Sequence, residues 1–128
     1  MVSSTYAPQN QVYAESSMQM KVELHISCRK LKNLDIITKS DPQVTMYVQN
    51  SKRQWREFGK TELIMDNLNP DFKTYFTIGY QFEKHQRLRF EVLDIDPVDT
   101  SEFIGYIETS MGQIMGAKDQ SFVAELKE

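Results

Sequence analysis

Residues 87–105 read RLRFEVLDIDPVDTSEFIG. Leu88, Phe90 and Val92 alternate with Arg87, Arg89 and Glu91, the period-2 sign of a strand with one buried and one solvated face. A second apolar run begins at Phe103. Between the two sit Asp94, Asp96, Asp99 and Glu102, four carboxylates within nine residues. Like charges packed this closely raise their own pKa values or push the loop open unless something offsets them. A strand-to-strand connection built this way asks for a counter-charge.

The same alternation recurs on both sides of this stretch. In MKVELHISC it is carried by Val22, Leu24, Ile26 and Cys28, in QVTMYVQ by Val44, Met46 and Val48, and in SFVAELK by Phe122, Ala124 and Leu126. Shorter candidates are QWREF, KTELIM, TYFTI and IGYIETS. Turn signals separate them: KSDP, QNSK, DNLNP and DIDP. GQIMGAKD has room for a turn of helix and no more. Many short strands without long amphipathic helices predict an antiparallel β-sandwich. Residues 1–18 are polar and show no sustained period, so they read as a flexible N-terminal tail, with residues 19–128 as the single domain.

Composition narrows the function. The chain has 128 residues, 40% hydrophobic and 26% charged, which fits one soluble domain with a real core. A formal net charge of −3 argues against a nucleic-acid binder. One cysteine allows no internal disulfide and suits a reducing compartment. No stretch approaches the roughly 20 apolar residues of a membrane span, the N-terminus lacks a signal-peptide pattern, and Val2 is not the glycine that myristoylation needs. Any membrane role is therefore peripheral. No phosphate loop or G-x-S-x-G occurs, and no His lies near the acids. The chain reads as a binding module, not an enzyme.

A second acidic pair, Asp35 and Asp41, lies in LDIITKSDP, after the MKVELHISC strand. A sandwich gathers its connections at two ends, so the loops of the 30s and 90s can converge. Calcium takes six to eight oxygens at roughly 2.3–2.6 Å in flexible geometry, which suits loop carboxylates. An EF-hand is excluded: counting from Asp94 as the first position, Asp99 falls where glycine is required and Gly105 where the bidentate glutamate is required. Two histidines and one cysteine make a poor transition-metal site.

An Asp followed six residues later by Asp-Pro, then D-x-D with an acid six beyond and I-G after it, resembles the C2 domain family, calcium-dependent phospholipid-binding sandwiches. The resemblance spans about residues 20–127. It implies calcium ligands at Asp35, Asp41, Asp94, Asp96 and Glu102, with Asp99 where some members add a ligand for a further ion. "GKTELIMDNLNPDF", "QFEKHQRLRFEVLDID" and "MGQIM" are more narrowly similar to the first C2 domain of copines, which carry two C2 domains and a von Willebrand A-like domain. That likeness implies an eight-stranded Greek-key sandwich of type II order, in which the MKVELHISC strand opens the fold and one more strand follows SFVAELKE. The last strand is not evident in the sequence. Either the N-terminal tail substitutes for it, or seven strands leave an open edge.

The resemblance implies two or more Ca²⁺ ions as cofactors. It implies anionic phospholipid membranes as partner, with phosphatidylserine and phosphoinositides among the headgroups, alongside protein partners in signalling and trafficking. A monomer in the cytoplasm, recruited to the inner face of membranes when calcium rises, fits this picture. The six loop acids and Lys39 sum to about −5, and two calcium ions would bring that end to about −1, enough to lift repulsion from an anionic bilayer. Ile36, Ile37 and Val98 are the expected membrane-inserting tips. Lys39 sits among the acids, while Lys52, Arg53, Arg56 and Lys60 surround Trp55 and form a candidate headgroup-binding face. The rival reading is a calcium-independent lipid- or protein-interaction sandwich.

Overall fold

Most of the alternating runs become strands with the apolar row turned inward. The computed structural model describes residues 1–6, 20–33, 39–81, 83–96, 98 and 100–128. The strands are β1 (Val2–Tyr6), β2 (Met20–Ser27), β3 (Pro42–Gln49), β4 (Trp55–Lys60), β5 (Asp71–Tyr80), β6 (Arg87–Asp94), β7 (Glu102–Ser110) and β8 (Ser121–Phe122). They pair antiparallel in two four-stranded sheets, ordered β5-β2-β1-β8 and β4-β3-β6-β7. Val22, Leu24 and Ile26 of β2 share one core with Val44 and Met46 of β3 and with Leu88, Phe90 and Val92 of β6. Burying each of these contributes about 1.5–3 kcal/mol, which fixes which face of each sheet turns inward. The sandwich read from the sequence is the one observed.

Two expectations at the chain ends are corrected. The first residues are not a tail: Val2–Tyr6 forms β1 and pairs with β2 from Val2↔Ile26 to Tyr6↔Val22. Its inward row, Val2 and Ser4, is buried, but a serine inside a strand carries no hydrophobic period, so the pattern was silent. With β1 standing beside β2, the N-terminal segment substitutes for the strand the sequence does not show, as one of the two alternatives had it, and because the MKVELHISC strand then does not open the sandwich the order is not type II. The remaining tail residues, 7–19, lie outside those described.

At the other end SFVAELK does not run on as a strand. Only Ser121 and Phe122 pair with β1, because just two residues of β1 reach them. The chain then leaves that sheet and lies against the edge of the other. Lys127 exchanges both backbone hydrogen bonds with Tyr106, each 2.8 Å. Gly105 makes the crossing possible: a Cβ there would lie 2.9 Å from both Leu126 Cβ and the Lys127 carbonyl oxygen.

The single α-helix among the described residues, α1 (Met111–Met115), is short, as its sequence allowed. Ser110 caps it by accepting the Gln113 N–H, and Met111 and Ile114 pin it to the core.

Candidate metal centre and membrane face

Asp94 closes the core-facing row of β6. Leu88, Phe90, Val92 and Asp94 alternate inward, so this carboxylate takes the place of a fourth apolar side chain and is only 6% exposed. A buried carboxylate is costly unless hydrogen bonds or a cation meet it. Its Oδ1 accepts the Asp41 N–H at 2.9 Å, across 53 residues of sequence. Register creates the meeting: Asp94 pairs with Pro42 on one side and with Glu102 on the other. The Ile95 N–H returns a bond to the Asp41 carbonyl at 3.0 Å.

Beyond β6 the chain turns over itself. The Asp96 N–H donates to the Ser101 hydroxyl at 3.2 Å, while Asp96 Oδ1 accepts the Val98 N–H at 2.9 Å. This turn leaves Val98 93% exposed at its tip.

A residue that sequence reasoning missed joins the same pole. Asp66, in the β4–β5 connection, donates its N–H to Asp41 Oδ1 at 2.6 Å, and its own Oδ1 accepts the Lys39 N–H at 2.7 Å. Its φ of 56° is left-handed, a conformation that Asp tolerates better than most side chains. DNLNP reads as a turn, and a turn's sequence does not say which pole it faces.

The structure thus brings Asp41, Asp94, Asp96, Glu102 and Lys39 to one end. Asp35, Asp99, Ile36 and Ile37 lie outside the described residues. Among the described residues no three His, Cys, Asp or Glu side chains gather closely enough to enclose a metal. Asp41 and Asp94 each spend Oδ1 on a backbone N–H. The chemistry of the donor set fits a hard cation: it is all carboxylate oxygen.

The other cations do not form one face. Lys52 and Arg53 sit in the β3–β4 turn, at the opposite end of β3 from Pro42. Arg56 pairs with Val48, on the core side of the sheet, and Lys60 with Thr45, on the outer side. A bulge between Met46 and Tyr47 separates those pairs. Strict alternation would put Arg56 and Lys60 on the same side, but one inserted residue flips everything after it. The outer face of this sheet neutralises itself. Arg89 bonds Glu91 at 2.8 Å and Glu108 at 2.6 Å, with its guanidinium 3.8 Å from the Tyr106 ring centroid. Burial alone would lower the Arg89 pKa, yet those two carboxylates more than reverse it.

A double sheet of this order, with acids from separate loops at one pole, is the architecture of a C2 domain. Residues 19–126 match the model of the C2 domain, and the chain belongs to that family. Among individual proteins it is similar to Copine-A of Dictyostelium discoideum, 41% identical over 106 residues, covering 83% of this chain and 18% of that one. Copine-E of the same organism is 39% identical over 113 residues, covering 84% of this chain and 20% of the other. The chain therefore spans about a fifth of the curated relatives it matches. Among solved structures, a C2 domain of a plant extended synaptotagmin 1 superposes with a TM-score of 0.57 at 25% identity, covering 69% of this chain and 66% of that one. No helix among the described residues is long and apolar enough to cross a membrane.

Proposed function

We propose that this chain is a non-enzymatic, calcium-dependent phospholipid-binding module that docks on anionic membranes through the Asp94 pole. One observation carries the reading: a nearly buried carboxylate, Asp94, held in register between Pro42 and Glu102 and bonded to the Asp41 N–H, where an apolar side chain would otherwise close the core. Asp35, Asp41, Asp94, Asp96 and Glu102, with Asp99, would hold two or more calcium ions. The ions would supply positive charge and open coordination positions for lipid phosphate or carboxylate oxygens. The protein's part is to preset the carboxylates, so the charge changes with little change of shape. Ile36, Ile37 and Val98 then enter the interface, and Lys39 meets the headgroups beside them. Lys52 and Arg53, at the far pole, reach a headgroup only if the domain lies on its side. The setting that follows is a monomeric module recruited from the cytoplasm to the inner face of membranes when calcium rises, in trafficking and signalling, with protein partners as well as lipid.

The test is co-sedimentation with phosphatidylcholine vesicles with and without phosphatidylserine, in calcium or chelator. Binding should require both calcium and the anionic lipid, and Asp94→Asn should abolish it while the protein stays folded. Binding that survives chelator would favour the calcium-independent interaction module instead.

A further inference from the structure

SFVAELK carries the alternation of a strand, with Phe122, Ala124 and Leu126 as its apolar row, yet its pairing with β1 ends at Phe122. A full strand beside β1 would send that row between the sheets. Instead residues 123–128 cross to the edge of β7, where Lys127 pairs with Tyr106. Phe122 and Leu126 still touch the core, but Val123 is 72% exposed and Ala124 is exposed as well. The space that a full row would have filled stays open. It is a cavity of about 610 Å³, floored by Val44, Phe90, Val92 and Ile107 from one sheet and by Val2 and Ile26 from the other.

Apolar walls hold water poorly, because a water molecule there finds too few hydrogen-bond partners. Left empty, they forgo the dispersion contacts of a packed core. Both conditions favour an apolar guest, and the volume falls within the range of about 300–1,000 Å³ found for small-ligand pockets. The mouth sets the rest of the guest's chemistry. It lies between Arg29–Lys32 and the crossing residues 123–128. Arg29 is bonded to Asp71 at 2.6 Å and Lys32 to Glu128 at 2.5 Å, so both are already neutralised. Lys30 is exposed, and among the described residues no carboxylate pairs with it. Its backbone is held in place, with the N–H donating to Asn69 Oδ1 at 2.8 Å. One free ammonium over an apolar cavity suits a guest with a long apolar tail and a single negative charge. Glu125, exposed on the crossing segment, would repel a second one.

We propose that the space between the two sheets is a binding site for one long-chain fatty acid, its tail among Val44, Phe90, Val92 and Ile107 and its carboxylate at Lys30. None of the carboxylates assigned to calcium lines this cavity, so the site works independently of the membrane pole. The test uses the full chain in chelator, which silences that pole and prevents calcium soaps. cis-Parinarate, a fatty acid that fluoresces on leaving water, should gain emission saturably at one molecule per chain, and oleate below its micellar concentration should displace it. Oleyl alcohol, with the same tail and no charge, should displace it about tenfold less well. Oleoyl lysophosphatidate, with its phosphate, should do no better than oleate. Ile107→Phe puts a ring into the cavity, so its thermal midpoint should hold while parinarate binding weakens about tenfold or more. Lys30→Glu, at an exposed site, should fold normally and bind oleate about tenfold more weakly, with the alcohol unaffected. Asp94→Asn should bind parinarate as the unaltered chain does. The proposal is overturned if the unaltered chain raises no emission, or if Ile107→Phe binds equally well or loses thermal stability, which would show the space to be closed. It is overturned equally if the alcohol matches oleate or the lysophosphatidate surpasses it.

Discussion

Cys28 and Asp66 mark the limits of reading single residues. Cys28 was legible: alternation through MKVELHISC put it on the apolar row, and it is half-buried against the core with its N–H bonded to the Pro70 carbonyl at 2.9 Å. Burial pushes its thiol from 9.0 up to about 11, although the chain's amino terminus and Arg29 both pull it down. Roughly a hundredfold less thiolate forms at neutral pH than for an unshifted thiol. Ellman's reagent at pH 8 should therefore label the folded chain about a hundredfold more slowly than the chain in denaturant, and equal rates would show the thiol to be open to water. Asp94 was legible by the same count along β6. Asp66 was not, because its partners Asp41 and Lys39 belong to another loop and no periodicity links them.

At the scale of elements, the inward rows of β2, β3 and β6 keep period 2, although β2–β5 and β6–β7 also carry register shifts. The β3–β4 pair breaks it at a bulge, which is why the cations around Trp55 looked like one face and are two. β1 escaped notice for a different reason, since Ser4 takes an inward position opposite Leu24. Among the described residues, Ser4 Oγ is the buried side-chain polar atom that finds no hydrogen-bond partner. Such a group costs about 1–3 kcal/mol. Ser4→Ala removes it without adding volume, so the variant should be more stable by about 1 kcal/mol, a rise of several degrees in the thermal midpoint. A lower midpoint in calorimetry would mean the hydroxyl is satisfied.

For the whole molecule, the decisive fact is that one pole collects segments from separate connections, and stability should respond to calcium through that pole. A ligand that binds only the folded state at a hundred times its Kd adds about 2.7 kcal/mol. Scanning calorimetry should thus show the midpoint rising by several degrees with calcium. In Asp94→Asn, an isosteric change, the midpoint in chelator should match or exceed the unaltered chain, and calcium should move it little. Equal calcium shifts in the two proteins would place the ion elsewhere. The sequence by itself determined β2, β3 and β6 with their inward rows, the all-β class and the two acidic loops, because alternation, turn residues and charge clustering are local properties of the chain. Only the tertiary structure decided that an N-terminal segment fills the place beside β2, that a bulge splits the cations, and that Asp66 joins the Asp94 pole. Those depend on which turns share an end of the sandwich, and that is fixed by packing between residues tens of positions apart, which no local pattern records.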